Sequence, residues 1–395
     1  MVIFAATSLL APAAWVAVAP AETQPSPPIV TRRDSRLNEV RFTVTVTGYS
    51  GYDFSPAALG FPSADLALSL IVNGPLSRIN RDTLSTSVWL DNQAVPNANA
   101  AGRLEPGVSD GNQLAVVPLP PFQGQSIRWQ TDFLAESFNV GVDEARAAAI
   151  TWPREWHESV RRFLEPETLI DSEAPAIKAF VDQVSGGRLR EVTPYVAAKE
   201  LVRAATLQAR NVTGSGIIRQ GLGAINGIDV YGSLSLLNSG NGTPADLTCL
   251  AVAALRAAGI PARPILGVTR YNDPNRRFVR NGGSGPWVWG EFFLPDAGWI
   301  PFDPMIMRSQ ALRQLDVTRP WKGFANVADL NGVIPMAWTF APPRAPYVVS
   351  GYPAMWWSNV VGLVQNAPVA PTGNLNSNGA YMSVVLTSRG RGPGD

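Results

Sequence analysis

The hydrophobic pattern of the chain changes its period near residue 150. Residues 41–47 alternate between polar and apolar positions, as a strand with one buried face does. Further short apolar runs follow at 66–72, 86–90, 114–118 and 126–133, separated by turn clusters such as Asn73-Gly74-Pro75. Short strands at this spacing predict a small β-sandwich over residues 37–150.

Helical spacing of apolar residues begins after Trp152-Pro153. It covers residues 155–164, 175–183, 194–208 and 246–258, and the last of these runs is ended by Gly259-Ile260-Pro261. Strand-like runs follow at 263–268, 288–294 and 299–302. Helices followed by antiparallel strands predict an α+β domain over residues 151–310.

The two ends of the chain have a different character. Residues 1–21 carry no charge and end in Ala19-Pro20-Ala21, which fits the small residues before an export cleavage site. An uncleaved membrane anchor and a buried N-terminal segment are the alternatives, and in the rest of the chain we expect no membrane span. We expect residues 22–36 to be a linker, 311–387 a Trp- and Pro-rich segment, and 388–395 a polar tail. Export would place the protein in the periplasm, in the cell envelope or outside the cell.

Composition excludes several classes of function. The 32 basic and 31 acidic residues give a net charge of +1, so we expect no nucleic-acid partner. The single cysteine excludes an internal disulfide, and the single histidine excludes a His-rich zinc site. We therefore predict no metal and no cofactor.

Two segments carry a resemblance to a known family. The first reads LLNSGNGTPAD at 236–246 and continues to LRAAGIPAR at 255–263, and the second reads WVWGE at 287–291 and GWIPFDP at 298–304. Their order and spacing resemble the transglutaminase-like superfamily, in its bacterial exported form. Members of that superfamily use a Cys-His-Asp triad on a papain-like α+β core. The resemblance implies such a core after the β-sandwich.

The triad positions that the resemblance implies are altered in this chain. Pro244 stands where the family has its nucleophilic cysteine, and Trp287 stands where it has its base histidine. Proline offers no nucleophile, and the tryptophan indole donates a hydrogen bond but has no basic nitrogen. Only Asp303 keeps the identity of the family residue. The resemblance therefore implies a core without the usual acyl-transfer chemistry.

Local rules account for several of these residues without catalysis. Thr243 is predicted to cap the helix that Pro244 begins, and Asp246 to complete a capping box. Cys249 lies about 140° around that helix from Pro244, and we expect it to be a buried apolar residue. We expect His157 to be a surface or packing residue.

Two non-catalytic interpretations and one catalytic alternative remain. The former cleft binds a polypeptide or a cell-envelope polymer, or the domain is a scaffold and Trp287 fills the cleft. The alternative is a hydrolase or acyl-transfer enzyme of altered mechanism, built on Asp303 alone or on Asp303 paired with Asp246 or Glu291. Asp303 could instead simply accept a hydrogen bond from the Trp287 indole. The binding candidates are Tyr231, Asp246, Trp287 and Asp303, and we expect the aromatic residues Trp289, Phe293 and Trp299 to be core.

Overall fold

The computed structural model of the chain describes residues 27–50, 55–56, 59–61, 64–213, 217–220, 224–269, 286–340, 354–356, 361–365 and 378–390. The predicted export signal or anchor at residues 1–21 lies outside the described residues. Within them, no helix is long and apolar enough to cross a membrane.

Strands dominate the described part of the chain. They are β1 (Val30–Ser50), β2 (Ser55–Pro56), β3 (Leu59–Phe61), β4 (Ala64–Ile71), β5 (Ser77–Leu90), β6 (Gln93–Ala94), β7 (Arg103–Pro106), β8 (Asn112–Leu119), β9 (Phe122–Gly124), β10 (Ser126–Val142), β11 (Asn211–Val212), β12 (Ile217–Gln220), β13 (Ala224–Asp229), β14 (Asn241–Gly242), β15 (Ala262–Thr269), β16 (Pro286–Leu294), β17 (Gly298–Phe302), β18 (Val333–Ala337), β19 (Ala354–Trp356), β20 (Val361–Gln365) and β21 (Asn378–Gly390).

All but one of the α-helices in the described residues lie after residue 143. They are α1 (Ala98–Ala101), α2 (Glu144–Ala148), α3 (Glu158–Arg161), α4 (Pro175–Ser185), α5 (Pro194–Gln208), α6 (Ser233–Ser239), α7 (Pro244–Ala257) and α8 (Pro304–Met307). Short 3-10 turns lie at Arg162–Leu164, Leu189–Glu191, Leu312–Gln314 and Leu330–Gly332.

The N-terminal half supplies most strands of a β-sandwich, as the alternating pattern predicted, and later segments add β12, β13 and β19–β21. Its larger sheet has the order β12-β13-β21-β1-β10-β5-β6, with β2 beside β1 and β19 beside β13, and its smaller sheet has the order β20-β4-β8-β7. Burial alternates along most of β10, as on a strand with one covered face. Phe42 and Trp129 of the larger sheet share one apolar cluster with Leu68 and Val117 of the smaller sheet.

Several strands of the two sheets lie outside the predicted bounds 37–150, among them β12, β13, β19 and β20. Strand β1 begins at Val30, inside the predicted linker 22–36, because it pairs with β10 from Val30↔Val142 onward. Strand β21 crosses from the predicted segment 311–387 into the predicted polar tail 388–395, and it pairs along β1. Local composition could not indicate either pairing, since each partner is distant in sequence.

The second half builds an α+β core around one buried helix. Its antiparallel sheet has the order β17-β16-β15-β18, and α7 packs on β15 and β16. Every residue of α7 from Pro244 to Arg256 is buried, so the Ala- and Leu-rich helix lies in the centre of the core. Helices α4, α5 and α6 pack around it. This architecture agrees with the predicted α+β class.

Buried hydrogen bonds join the sandwich to the core. Ser69 donates to the carbonyl of Met336 at 3.1 Å, and Ser137 donates to the carbonyl of Asn331 at 2.7 Å. The Asn326 side chain also accepts from the Val142 amide at 3.0 Å. Because these polar groups are paired across the boundary, the two halves have a fixed contact surface.

Candidate functional site

The start of α7 has the predicted geometry. Thr243 is the N-cap and Pro244 the first helical residue, and Thr243 and Asp246 form a capping box. The Thr243 hydroxyl accepts from the Asp246 amide at 3.4 Å, and the Asp246 carboxylate accepts from the Thr243 amide at 2.8 Å. The place that the resemblance gives to a nucleophile therefore holds a helix-capping motif.

The Asp246 carboxylate also fixes the chain ahead of α6. Its Oδ1 accepts from the backbone amides of Tyr231 at 2.6 Å and Gly232 at 2.7 Å. The group is fully buried. Burial raises the pKa of Asp246, and the hydrogen bonds from Thr243, Gly232 and Tyr231 oppose that rise. Asp246 is thus engaged in structure, whereas Tyr231, another binding candidate, is 48% exposed.

Trp287 and Asp303 form the hydrogen bond that was one of the alternatives for Asp303. The indole Nε1 of Trp287 donates to Asp303 Oδ2 at 2.8 Å, and Asp303 Oδ1 accepts from the amides of Met305 and Ile306 at the start of α8. Trp287 is only 5% exposed and Asp303 is fully buried. The ring of Trp287, one of the binding candidates, is therefore packed into the core.

The only thiol and the only imidazole lie on separate elements. Cys249 is fully buried on α7, and burial together with the nearby charge of Asp246 raises the pKa of its thiol well above the ordinary value. His157 is exposed and caps α3, where its Nδ1 accepts from the Ser159 amide. Both residues have the structural surroundings that the sequence predicted.

Glu291 is held by an ion pair that sequence reasoning did not predict. Its Oε2 accepts from Arg263 Nη2 at 2.6 Å and from Arg263 Nε at 2.9 Å. The guanidinium lies between the rings of Trp299 and Trp338, at 3.8 and 3.7 Å from their centroids. Burial lowers the pKa of Arg263 to about 10 and raises the pKa of Glu291. Glu291 is therefore bound to Arg263, an arrangement that does not favour the hypothesis of a Glu291–Asp303 carboxylate pair.

A cavity of about 490 Å³ lies between the sandwich and the core. Phe293 and Trp299 line this cavity and are partly exposed, so the expectation that both are core residues is wrong, whereas Trp289 is fully buried as predicted. Strand β16 is covered on both faces, and alternation therefore could not tell which of its aromatic residues stays accessible. The cavity is lined by Val30, Arg32, Asn73, Gly74, Pro75, Ser109, Asp110, Val140, Ser159, Val160, Phe163, Arg263, Phe293, Ala297, Gly298, Trp299 and Trp338.

Comparison with known proteins agrees with the class that this fold and site define, an α+β protein with a transglutaminase-like core. Residues 225–304 match the family model of the transglutaminase-like superfamily, so the chain carries a domain of that superfamily. A comparison with curated proteins found no match.

Solved structures resemble the chain over a longer range. One is a candidate cysteine protease from Cytophaga hutchinsonii, with 12% identity and a TM-score of 0.52, covering 93% of this chain and 94% of that chain. Another is the periplasmic domain of TgpA from Pseudomonas aeruginosa, with 14% identity and a TM-score of 0.31, covering 71% of this chain and 93% of that chain. The first likeness supports the fold of both halves together.

Proposed function

We propose that this protein is a catalytically inactive transglutaminase-like protein that acts outside the cytoplasm as a binding module for a polypeptide or an envelope polymer. The observation that carries the proposal is the buried hydrogen bond from Trp287 to Asp303. In the superfamily that the motifs resemble, an imidazole would use the same acceptor and offer its second nitrogen as a base. The indole keeps the donor and has no second nitrogen.

The start of α7 supports the same proposal. A nucleophile at Pro244 would benefit from the free amides of a helix N-terminus. In this chain the Asp246 amide donates to the Thr243 hydroxyl. The Asp246 carboxylate accepts from the amides of Thr243, Tyr231 and Gly232. The local structure therefore stabilises the helix start where the family would activate a thiol.

The binding part of the proposal rests on other features. The cavity between the two halves has partly exposed aromatic walls, which suit a ligand site. The uncharged residues 1–21 are the support for a location outside the cytoplasm.

Amine incorporation into a glutamine-containing peptide, together with isopeptide hydrolysis, tests the inactivity. We expect no turnover above buffer from the wild-type protein. The Pro244→Cys/Trp287→His double variant tests the mapping of the triad, since Asp303 already accepts from residue 287. We expect it to gain a thiol that alkylates faster than Cys249 does in the wild-type protein.

Two controls make the outcome decisive. Pro244→Ala/Trp287→Phe changes the same two positions without adding a thiol or an imidazole, and its thermal unfolding shows whether these positions tolerate substitution. Turnover by the wild-type protein that Asp303→Asn abolishes in a folded variant would refute inactivity and support the enzyme of altered mechanism.

A further inference from the structure

The cavity between the sandwich and the core has a polar side built by two loops. Asn73, Ser109 and Asp110 line this side. The Asn73 amide donates to the carbonyl of Gly111 at 3.1 Å, which holds the loops together. Gly111 has a φ of +87°, and a Cβ there would lie 2.1 Å from the Asn73 carbonyl oxygen, so glycine is required for this approach. The polar side is therefore preorganised.

Three polar groups on this side have no internal partner. The Ser109 hydroxyl oxygen is buried and makes no hydrogen bond within the described part of the chain. Among those residues the Asp110 carboxylate and the Asn73 side-chain amide also make no hydrogen bond or ion pair, and both residues are exposed at the cavity. Because Asn73 and Asp110 are exposed, their side chains can bind the polar groups of a molecule in the cavity.

The opposite side of the cavity is aromatic. Phe293 and Trp299 are partly exposed there, with ring centroids 5.4 Å apart, and Phe163 contacts Trp299 edge-on at 5.1 Å. Trp299 is held from its other side by the Arg263 guanidinium. Because the rings are fixed by these contacts, they offer a rigid apolar wall opposite the polar loops.

Charge and size restrict the ligand. The lining carries Arg32, Asp110 and Arg263, and Glu291 neutralises Arg263. Arg32 is itself engaged, since its Nε donates to the carbonyl of Pro75 at 2.9 Å. The balance favours a neutral ligand over a phosphate or a polyamine. The volume of about 490 Å³ is within the range of roughly 300–1,000 Å³ that small-molecule sites have.

From these observations we propose that the cavity binds a neutral saccharide of one or two rings. A pyranose presents an apolar face of C–H groups and an edge of hydroxyls, each of which is both donor and acceptor. The C–H face would lie on one of the rings of Trp299 and Phe293, whose planes are 70° apart, and the hydroxyl edge would meet Asn73 and Asp110. The inference rests on the proposed binding role and deepens it, because it assigns the ligand class and places the site away from Trp287.

Titration calorimetry with a panel of probes tests the site. The probes are cellobiose, maltose, N,N′-diacetylchitobiose and, as a peptide of similar size, acetyl-tetra-alanine amide. We expect saturable binding of at least one disaccharide by the wild-type chain. Asp110→Ala should weaken the binding of that disaccharide at least about tenfold, because the sugar hydroxyls lose a carboxylate acceptor.

A matched control separates a site from a general charge effect. Asp82→Ala removes another exposed carboxylate of the sandwich, one that does not line the cavity, and it should leave the affinity unchanged. Thermal unfolding of each variant checks that the fold is intact.

Three results would overturn the inference: no saturable binding of any disaccharide, equal affinity of the Asp110→Ala and wild-type chains, or binding of the peptide alone. These results are distinct from failure of the proposed inactivity, which the amine-incorporation assay reports. A chain that binds the disaccharide through Asp110 and also transfers acyl groups would support the saccharide site and refute the proposed catalytic inactivity.

Discussion

Neutralising Glu291 should destabilise the protein more than any change of surface charge. Its side chain is 1% exposed and that of its partner Arg263 is 2% exposed. Gln keeps the shape and one acceptor oxygen, so Glu291→Gln removes the charge and little else. The guanidinium would then remain between Trp299 and Trp338 without a counter-charge.

The expected magnitude follows from that burial. Removing the charge of one partner in a buried ion pair lowers the free energy of unfolding by about 3–5 kcal/mol. That is a large share of the roughly 5–15 kcal/mol by which a typical domain is stable. Replacing both members with apolar residues of similar volume removes the buried charges together. Arg263→Met/Glu291→Leu should therefore lie within about 1 kcal/mol of the wild-type stability.

Equilibrium unfolding in urea measures these differences, with the midpoint and the slope fitted together. The exposed pair Arg161–Glu155 is the matched control, since its side chains are 51% and 75% exposed. Glu155→Gln should change stability by less than about 1 kcal/mol. A Glu291→Gln loss no larger than the control, or a double variant as unstable as the single one, would refute the reasoning.

Three further changes have defined outcomes in the same unfolding assay. Asp246→Asn should cost at least about 2 kcal/mol, because a side-chain NH₂ cannot accept from the buried amides, and Thr243→Ala should cost about 1 kcal/mol through loss of the cap. Stability should fall as pH rises above about 8.5, because the Cys249 thiol has a raised pKa in the folded chain and loses its proton first in the unfolded chain. Cys249→Ala should reduce this dependence of stability on pH. In native buffer the buried thiol should resist disulfide reagents. His157→Ala should change stability by less than about 1 kcal/mol, because the helix that it caps is a single turn, and it should leave the binding of any ligand unchanged. A hundredfold loss of turnover would reveal a relocated active site.

The start of α7 could be predicted from sequence because its rules are local. Thr243, Pro244 and Asp246 lie within four residues, and the capping box depends on their order alone. The bond between Trp287 and Asp303 could also be anticipated as an alternative, since the resemblance assigned both residues to one triad. In both cases the information lay within short segments or within a known motif.

The accessible side of β16 could not be predicted in the same way. Sequence alternation assigns Phe293 to one face of a strand, but whether that face meets the sandwich depends on the packing of residues about two hundred positions away. The Arg263–Glu291 pair was missed for a related reason, since the partners lie on neighbouring strands and neither spacing nor charge pattern along the chain joins them.

The pairing of β21 with β1 has a consequence for how the protein reaches its native state. Residues 378–390 lie between β13 and β1 in the larger sheet, although they are far from β1 in sequence. During synthesis from the N-terminus, one hydrogen-bonding edge of β1 stays open until those residues emerge. An open edge of that length can recruit a strand from another molecule. Nascent and C-terminally clipped forms should thus be the species that depend on chaperones, even though the clipped residues lie far from Trp287 in sequence.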